Sequence, residues 1–358
     1  MRRLVLKVIL NLGRYAVLPV VALAGVLLLA WLLALDHYTI AALATAPIVF
    51  CVVPAALALA LGILLLPSQR DRNVKADEAA APGLWAIWKE LDRDFARSGR
   101  TLLIDDNFNA SIMEESRYAG LFRQHVTMTV GLPLLIIMDQ RAIRAVIAHE
   151  IAHMRLRHTS GGTNLYDFVA ASENVLHYAD PDRTITGRIA HMLLHSLIEW
   201  LDAEYRALSR ENELCADSDG AKQVGREEMA RALVLLEGGG TRLTDLVMKP
   251  LEKEMLGAIK PPTPPLQRIL SHLEDIRGPE QLAAAATAGL KSELDPASRH
   301  PPFGKRLANL GFTDVPPIDK VETSAIDQLV SPETATALLT RLDDEWRKRA
   351  REWVSVGR

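Results

Sequence analysis

A chain of 358 residues that is 49% hydrophobic and carries a formal charge of -3 offers no general case for nucleic-acid binding. It has room for a membrane segment plus one large domain or two small ones. Two cysteines cannot make a disulfide scaffold; Cys51 falls in an apolar run and Cys215 in a polar stretch, so a reducing compartment is allowed.

Residues 1–66 account for the hydrophobicity. Ala16 to Leu35 is an uncharged apolar run of twenty residues, enough to cross a bilayer. After Asp36-His37-Tyr38, Ile40 to Leu66 is a second such run, with Pro47 and Pro54 inside it, which membrane helices tolerate. The expectation is an N-terminal transmembrane hairpin with spans at about 16–35 and 40–66. A buried soluble hairpin fits two adjacent runs of this length poorly. A cleaved signal peptide fits poorly too, because the first run exceeds the usual apolar region and a second comes at once. Arg2, Arg3, Lys7 and Arg14 precede the first span; Arg70, Arg72 and Lys75 follow the second; the turn between has neither Lys nor Arg. By the positive-inside rule both ends face the cytoplasm.

Residues 67–83 read as a polar linker. From Gly83 the spacing predicts an amphipathic helix with Leu84, Trp85, Trp88, Leu91 and Phe95 along one side and Gly99 as its stop. Thr101 to Asp105 is short and β-like, Asn107 to Ile112 comes next, and Val126 to Met138 gives one or two strands leading into the next helix. A free strand edge beside that helix would hold an extended peptide by strand addition; a plain core strand is the alternative.

Asp139 to His158, DQRAIRAVIAHEIAHMRLRH, is the most informative stretch. Asp139 is an N-cap residue, and neither Gly nor Pro interrupts the run from there to His158. At about 100° per residue, Ile143, Ile147, Ile151 and Met154 form an apolar stripe while Arg141, Arg144 and Arg155 group elsewhere. His149 and His153 stand one turn apart on a third face, with Glu150 beside them. Two imidazoles at i, i+4 can aim at one cation, and the intervening Glu can reach a water next to it. The plainer alternative is a buried helix with two satisfied histidines. Three ionisable groups on an otherwise apolar helix are expensive without a metal or partners.

Thr159 to Thr163 reads as a turn, 165–180 as helical, and Pro181-Asp182 as a break. Arg188 to Leu208 is an amphipathic helix whose His191 and His195 have no Glu between them, and it reads as ordinary helix surface or core. His191, His195, Glu199 and Asp202 interrupt its apolar run, so it is not a further span. Glu213 and Asp217 then share a helix face, and Ala216, Gly220 and Ala221 let another helix approach. A zinc held by two histidines wants a third protein ligand and an open fourth position. Glu213 can be that ligand, and Asp217 can accept a hydrogen bond from the far nitrogen of a ligating His. Glu211 and Cys215 point elsewhere. By itself the patch also reads as a solvated acidic face.

The pairing of V-I-A-H-E-I-A-H-M (146–154) with E-L-C-A-D (213–217) resembles the HExxH and ExxAD motifs of the membrane-associated zinc metallopeptidases of the HtpX and CAAX-prenyl-protease type, which are gluzincins. The stretch 216–233 is similar to the HtpX-type sequence after the third ligand. Asn109-Ala110 resembles the family's Asn-Ala segment on the edge strand by the substrate cleft, and Arg299-His-Pro-Pro-Phe-Gly-Lys-Arg-Leu307 its H-P-P-x-x-x-R element. The resemblance spans roughly 100–310 and implies a mainly α, zincin-like domain with a small β-sheet behind the transmembrane hairpin. It implies that His149, His153 and Glu213 bind one Zn2+ per chain, that Glu150 is the general base, and that Asp217 holds a ligand from outside. His300 or a neighbouring Arg would stabilise the oxyanion. A peptidase domain at 84–310, with an unaligned Gly-, Pro- and Ala-rich insertion at 237–298, would precede a helical tail at 311–358. HtpX-type chains carry a second pair of spans between the motifs; here only the helix at 188–208 stands there. The expected function is zinc-dependent endopeptidase action on protein or peptide substrates. Its setting would be membrane-protein quality control, at the inner (cell) membrane as a multi-pass protein facing the cytoplasm. The bilayer is engaged through the N-terminal spans, and no nucleic acid is expected. The competing readings are a catalytically silent, membrane-anchored zinc protein acting as an interaction module, and a hydrolase of non-peptide amides.

Overall fold

The computed structural model describes residues 2–40, 43–46, 49, 74–97, 99–115, 125–156, 164–165, 168–169, 172 and 185–356. Most of the second apolar run, residues 67–73 of the linker and most of 159–183 lie outside the described residues. The chain divides into two compact units, one formed by 1–71, 116–122 and 159–208, the other by 72–115, 123–158 and 209–358.

In the first unit, helix α1 (Arg2–Leu12) passes through a 3-10 turn (Gly13–Val17) into α2 (Leu18–His37). Leu6, Ile9 and Val17 pack with Leu165, Phe168 and Leu201. Asn164 ties the end of α1 by donating to the Leu10 carbonyl at 2.8 Å. By contrast α2 is apolar on every side and leaves Leu23, Leu27, Leu29 and Leu33 exposed. A helix apolar all round wants an apolar surrounding. Among the described residues, Tyr15–Leu35 is the one stretch of helix long and apolar enough to cross a membrane.

The second unit is built on a four-stranded mixed sheet of β1 (Val74–Ala76), β2 (Gly99–Asp105), β3 (Ala110–Glu115) and β4 (His125–Gly131), in the order β1-β2-β4-β3. Strands β2 and β4 run parallel and the other pairs antiparallel, with Ile112 opposite Met128. The alternation of β4 buries Val126, Met128 and Val130 and leaves β3 on the edge.

The helix from Gly83 is α3 (Pro82–Leu91), and it stops well short of Gly99. Asp92 turns extended there because its buried carboxylate binds Arg100 at 2.7 Å, and that guanidinium lies over Trp88 and Phe95. The apolar run after β4 is a further departure: it forms α4 (Leu132–Ile137), not a second strand. All six of its residues are buried, so no alternation marks a strand, and Pro133 suits a first helical turn. Helix α5 (Gln140–Arg155) comes next, capped by Asp139, which accepts from the Ala142 N–H at 2.9 Å and pairs with Arg231 at 2.6 Å.

Helix α6 (Ile185–Val224) is continuous over 40 residues and joins the expected 188–208 helix to the acidic patch. After Gly225 come α7 (Arg226–Leu243), a π turn (Thr244–Met248), α8 (Lys249–Leu256), α9 (Pro265–Ser271), α10 (Leu273–Arg277) and α11 (Pro279–Gly289). The stretch 237–298 contributes Leu243, Val247, Leu266, Ile269, Ile276 and Leu282 to the same core as the sheet. Gly238 lies inside α7 because a Cβ there would meet the Leu282 carbonyl at 2.7 Å, so α11 packs backbone-close. Finally α12 (Phe303–Leu310), α13 (Ala325–Leu329) and α14 (Pro332–Val356) close the unit. Leu329, Leu338 and Leu342 join the core, so the tail packs on this unit.

Candidate metal centre

Helix α5 brings His149 and His153 onto one face, as the i, i+4 spacing requires. Their Nε2 atoms stand 3.1 Å apart and their rings meet edge to face. Glu213 of α6 completes the group, with Oε1 at 3.1 Å from His153 Nε2 and Oε2 at 3.5 Å from His149 Nε2. One ligand atom from each residue lies within 4.8 Å of the others. Tetrahedral zinc at the usual metal–nitrogen distance separates neighbouring ligand atoms by about 3.3 Å, so these residues fit that ion. Two ring nitrogens and a carboxylate converging in a buried site make little sense without a cation among them.

Helix α6 can come this close because of Gly220. A Cβ there would sit 3.2 Å from the His149 backbone N and 2.6 Å from the Met229 methyl. One turn from Glu213, Asp217 is fully buried and places Oδ1 at 2.9 Å from His149 Nδ1. Asp217 is gripped in turn by Arg306 of α12, whose Nη2 and Nε donate to Oδ1 and Oδ2 at 2.7 and 2.8 Å. Arg306 Nη2 is also 3.4 Å from Glu213 Oε2. Asn309, one turn on, donates to the Leu214 carbonyl and to Ser218 Oγ, which fastens α12 along α6.

Burial disfavours a charged His149, but Asp217 and Glu213 outweigh it and carry the imidazole up to about 10. Burial likewise works against ionised Glu213, yet the three facing histidines hold it far below the usual carboxylate range. Asp217 is lowered too, its desolvation overcome by Arg306. Glu150 differs: burial pushes it up, and its carboxylate faces the backbone N–H of Ile112 on β3.

His300 lies on the solvent side, 65% exposed, with Nδ1 at 3.0 Å from Glu213 Oε2. Its segment is held by Arg210, which donates to the Ser298 carbonyl at 2.8 Å. Asn109 is exposed at the entry to β3, its carbonyl accepting from the Gly131 N–H at 2.8 Å, while Ala110 is buried opposite Val130. Glu211 and Cys215 are exposed and stand outside the group, as do His191 and His195, whose rings stack on each other. The residue that sequence reasoning left without a position is Arg306. Its signal was the final Arg of the H-P-P-x-x-x-R stretch, but nothing local says that its partner is Asp217, 89 residues away.

The sequence profile of Peptidase family M48 matches residues 99–313, which contains every one of these groups. Among solved structures, the crystal structure of S. mikatae Ste24p overlaps 81% of this chain at 13% identity with a TM-score of 0.35. This chain spans 63% of the length of that protein.

Proposed function

Because the chain belongs to peptidase family M48, its profile covering more than half the sequence, we propose that it is a membrane-anchored zinc endopeptidase. The observation that carries this is the convergence of His149, His153 and Glu213 at the spacing of a tetrahedral metal site. These residues hold one zinc ion, which when bound supplies a Lewis acid for the scissile carbonyl and makes water acidic near neutral pH. Asp217 keeps a proton on His149 Nδ1, so that Nε2 presents its lone pair to the ion, and Arg306 keeps Asp217 in place. Glu150 takes the proton from the attacking water and later gives it to the leaving amine nitrogen. Its upward shift suits a group that must both accept and release a proton. The exposed ring of His300 is placed to donate to the developing oxyanion. A substrate peptide adds to the free edge of β3, entering past Asn109-Ala110.

The anchor is α2 together with the second apolar run, a hairpin spanning about 16–35 and 40–66 in the inner (cell) membrane, with both ends cytoplasmic. The expected linker at 67–83 shortens to 67–73, because Val74–Ala76 already pairs with β2 as β1 and Ala76 and Ala81 enter the core. The peptidase domain expected at 84–310 therefore begins earlier, and 311–358 is a tail folded onto it. Damaged or unassembled membrane proteins are the substrates such a tethered enzyme meets first.

The test uses the full chain in detergent. Wild type is expected to carry one zinc and to cleave casein or a quenched peptide in a chelator-sensitive way. Glu150→Gln should keep the metal and lose at least about a hundredfold in turnover. Full activity in Glu150→Gln would overturn the mechanism. Zinc without any hydrolysis in wild type would favour the silent interaction module, and cleavage confined to non-peptide amides the other hydrolase.

A further inference from the structure

A cavity of about 750 Å³ opens between the β2–β3 loop, one face of α7 and helix α14. Phe108, Pro133, Leu236, Leu243, Ile269 and Trp346 give it apolar walls. Phe108 rests on the glycines of α7, 3.4 and 3.5 Å from where Cβ atoms would stand at Gly239 and Gly240. Its charged lining is nearly balanced: Asp245 pairs with Lys249 at 2.7 Å, and Arg349 of α14 binds Asp106. Glu237 is the exception. This half-buried carboxylate has no hydrogen-bond or ion-pair partner among the described residues. Arg306 is near enough to favour its charge but already grips Asp217 with two bonds. Burial accordingly pushes Glu237 up, the condition of an anion that lacks its counterion.

The location of the cavity connects it to the chemistry. Asn107 and Phe108 in its wall lead straight into Asn109, Ala110 and the free edge of β3, whose Ile112 faces Glu150. Strand residues advance about 3.3 Å each, so Phe108, two residues before β3 begins at Ala110, lies at most about 13 Å from Ile112. An extended peptide on that edge, with its scissile bond beside Glu150, delivers a side chain three or four residues away to the cavity mouth. Apolar walls with one uncompensated carboxylate match a long aliphatic stem carrying a cation.

We propose that this cavity is a specificity subsite that takes a Lys or Arg side chain of the substrate, with Glu237 as its counterion. The inference rests on the peptidase reading above.

The test is a set of quenched peptides in which Lys is moved through the four positions on either side of the scissile bond, with norleucine in its place as the neutral control. Full-length zinc-loaded protein in detergent should favour Lys at least tenfold in kcat/KM at one position, three or four residues out. Glu237→Gln, close to isosteric, should collapse that Lys-to-norleucine ratio to within about twofold. Glu237→Lys, if it folds, should invert the preference toward Glu. A ratio that survives Glu237→Gln, or the absence of any positional preference, would overturn the subsite. Binding of the same peptides to Glu150→Gln protein, followed by anisotropy, separates this from failure of the peptidase reading. Lys-selective binding abolished by Glu237→Gln in a protein that hydrolyses nothing supports the subsite and removes the protease. Binding without selectivity removes the subsite.

Discussion

Asp217→Asn changes one atom in the most tightly interlocked part of the site. Asp217 is fully buried, accepts from Arg306 Nη2 and Nε at 2.7 and 2.8 Å, and stands 2.9 Å from His149 Nδ1. The amide keeps one acceptor oxygen and turns an NH2 toward donors, leaving the nearly buried guanidinium without its counter-charge. Breaking one side of a buried ion pair costs about 3–5 kcal/mol. Because one oxygen still accepts and Glu213 lies 3.4 Å from Arg306, about 3 kcal/mol is the expectation for the metal-free protein. For a unit of this size that lowers Tm by roughly 6–12 °C. Arg306 then turns toward Glu213 and His149 loses its tautomer control, so zinc affinity should fall about 10- to 100-fold. Thermal unfolding of metal-free protein and chelator-competition titration read the two effects separately. A Tm within about 1 °C of wild type and a zinc Kd within threefold would refute the reasoning.

Gly131→Ala places a Cβ about where the Asn107 carbonyl oxygen lies, 1.7 Å from it, so the loop before β3 must move. The expected cost is about 1–3 kcal/mol in urea unfolding, with a rise in KM as the edge strand shifts; wild-type KM would contradict strand addition. His300→Ala removes an exposed side chain, so Tm should hold within about 1 °C while kcat falls roughly 100-fold, and an unchanged kcat would take His300 out of the chemistry. The Asp139 carboxylate is opposed by burial yet held below its ordinary range by Arg231 and the Ala142 N–H. Its stabilisation is therefore complete above the unfolded Asp range of about 4 and is lost as pH falls through the lower folded value. Asp139→Asn keeps the helix cap but should flatten the decline of the urea midpoint with acid; an unaltered slope would remove Asp139 from that linkage.

Much of the metal centre was legible because it is local. The positions of His149, Glu150 and His153 follow from 3.6 residues per turn, and so does the placing of Asp217 one turn after Glu213. The small residue Gly220 announced a close helix approach, and it lies against the His149 backbone. Elsewhere local pattern misled. Leu132–Ile137 is apolar throughout and has no period, so burial on all sides, not alternation, made it a helix. The glycines at 238–240 read as part of an unaligned insertion at 237–298, whereas in α7 they leave space for Leu282 and Phe108.

The order of residues alone was enough to say which faces each helix would present, which residue types could hold a divalent ion, and that an apolar N-terminal run would need lipid. These depend on repeat geometry and transfer free energy, which act over a few residues. Which charges meet was settled only when the chain folded. Arg306 reached Asp217 from 89 positions away and Arg231 reached Asp139 from 92, while Glu237 was left with no partner among the described residues. The physical reason is that pairing energy depends on separation and burial in space, and chain distance enters neither.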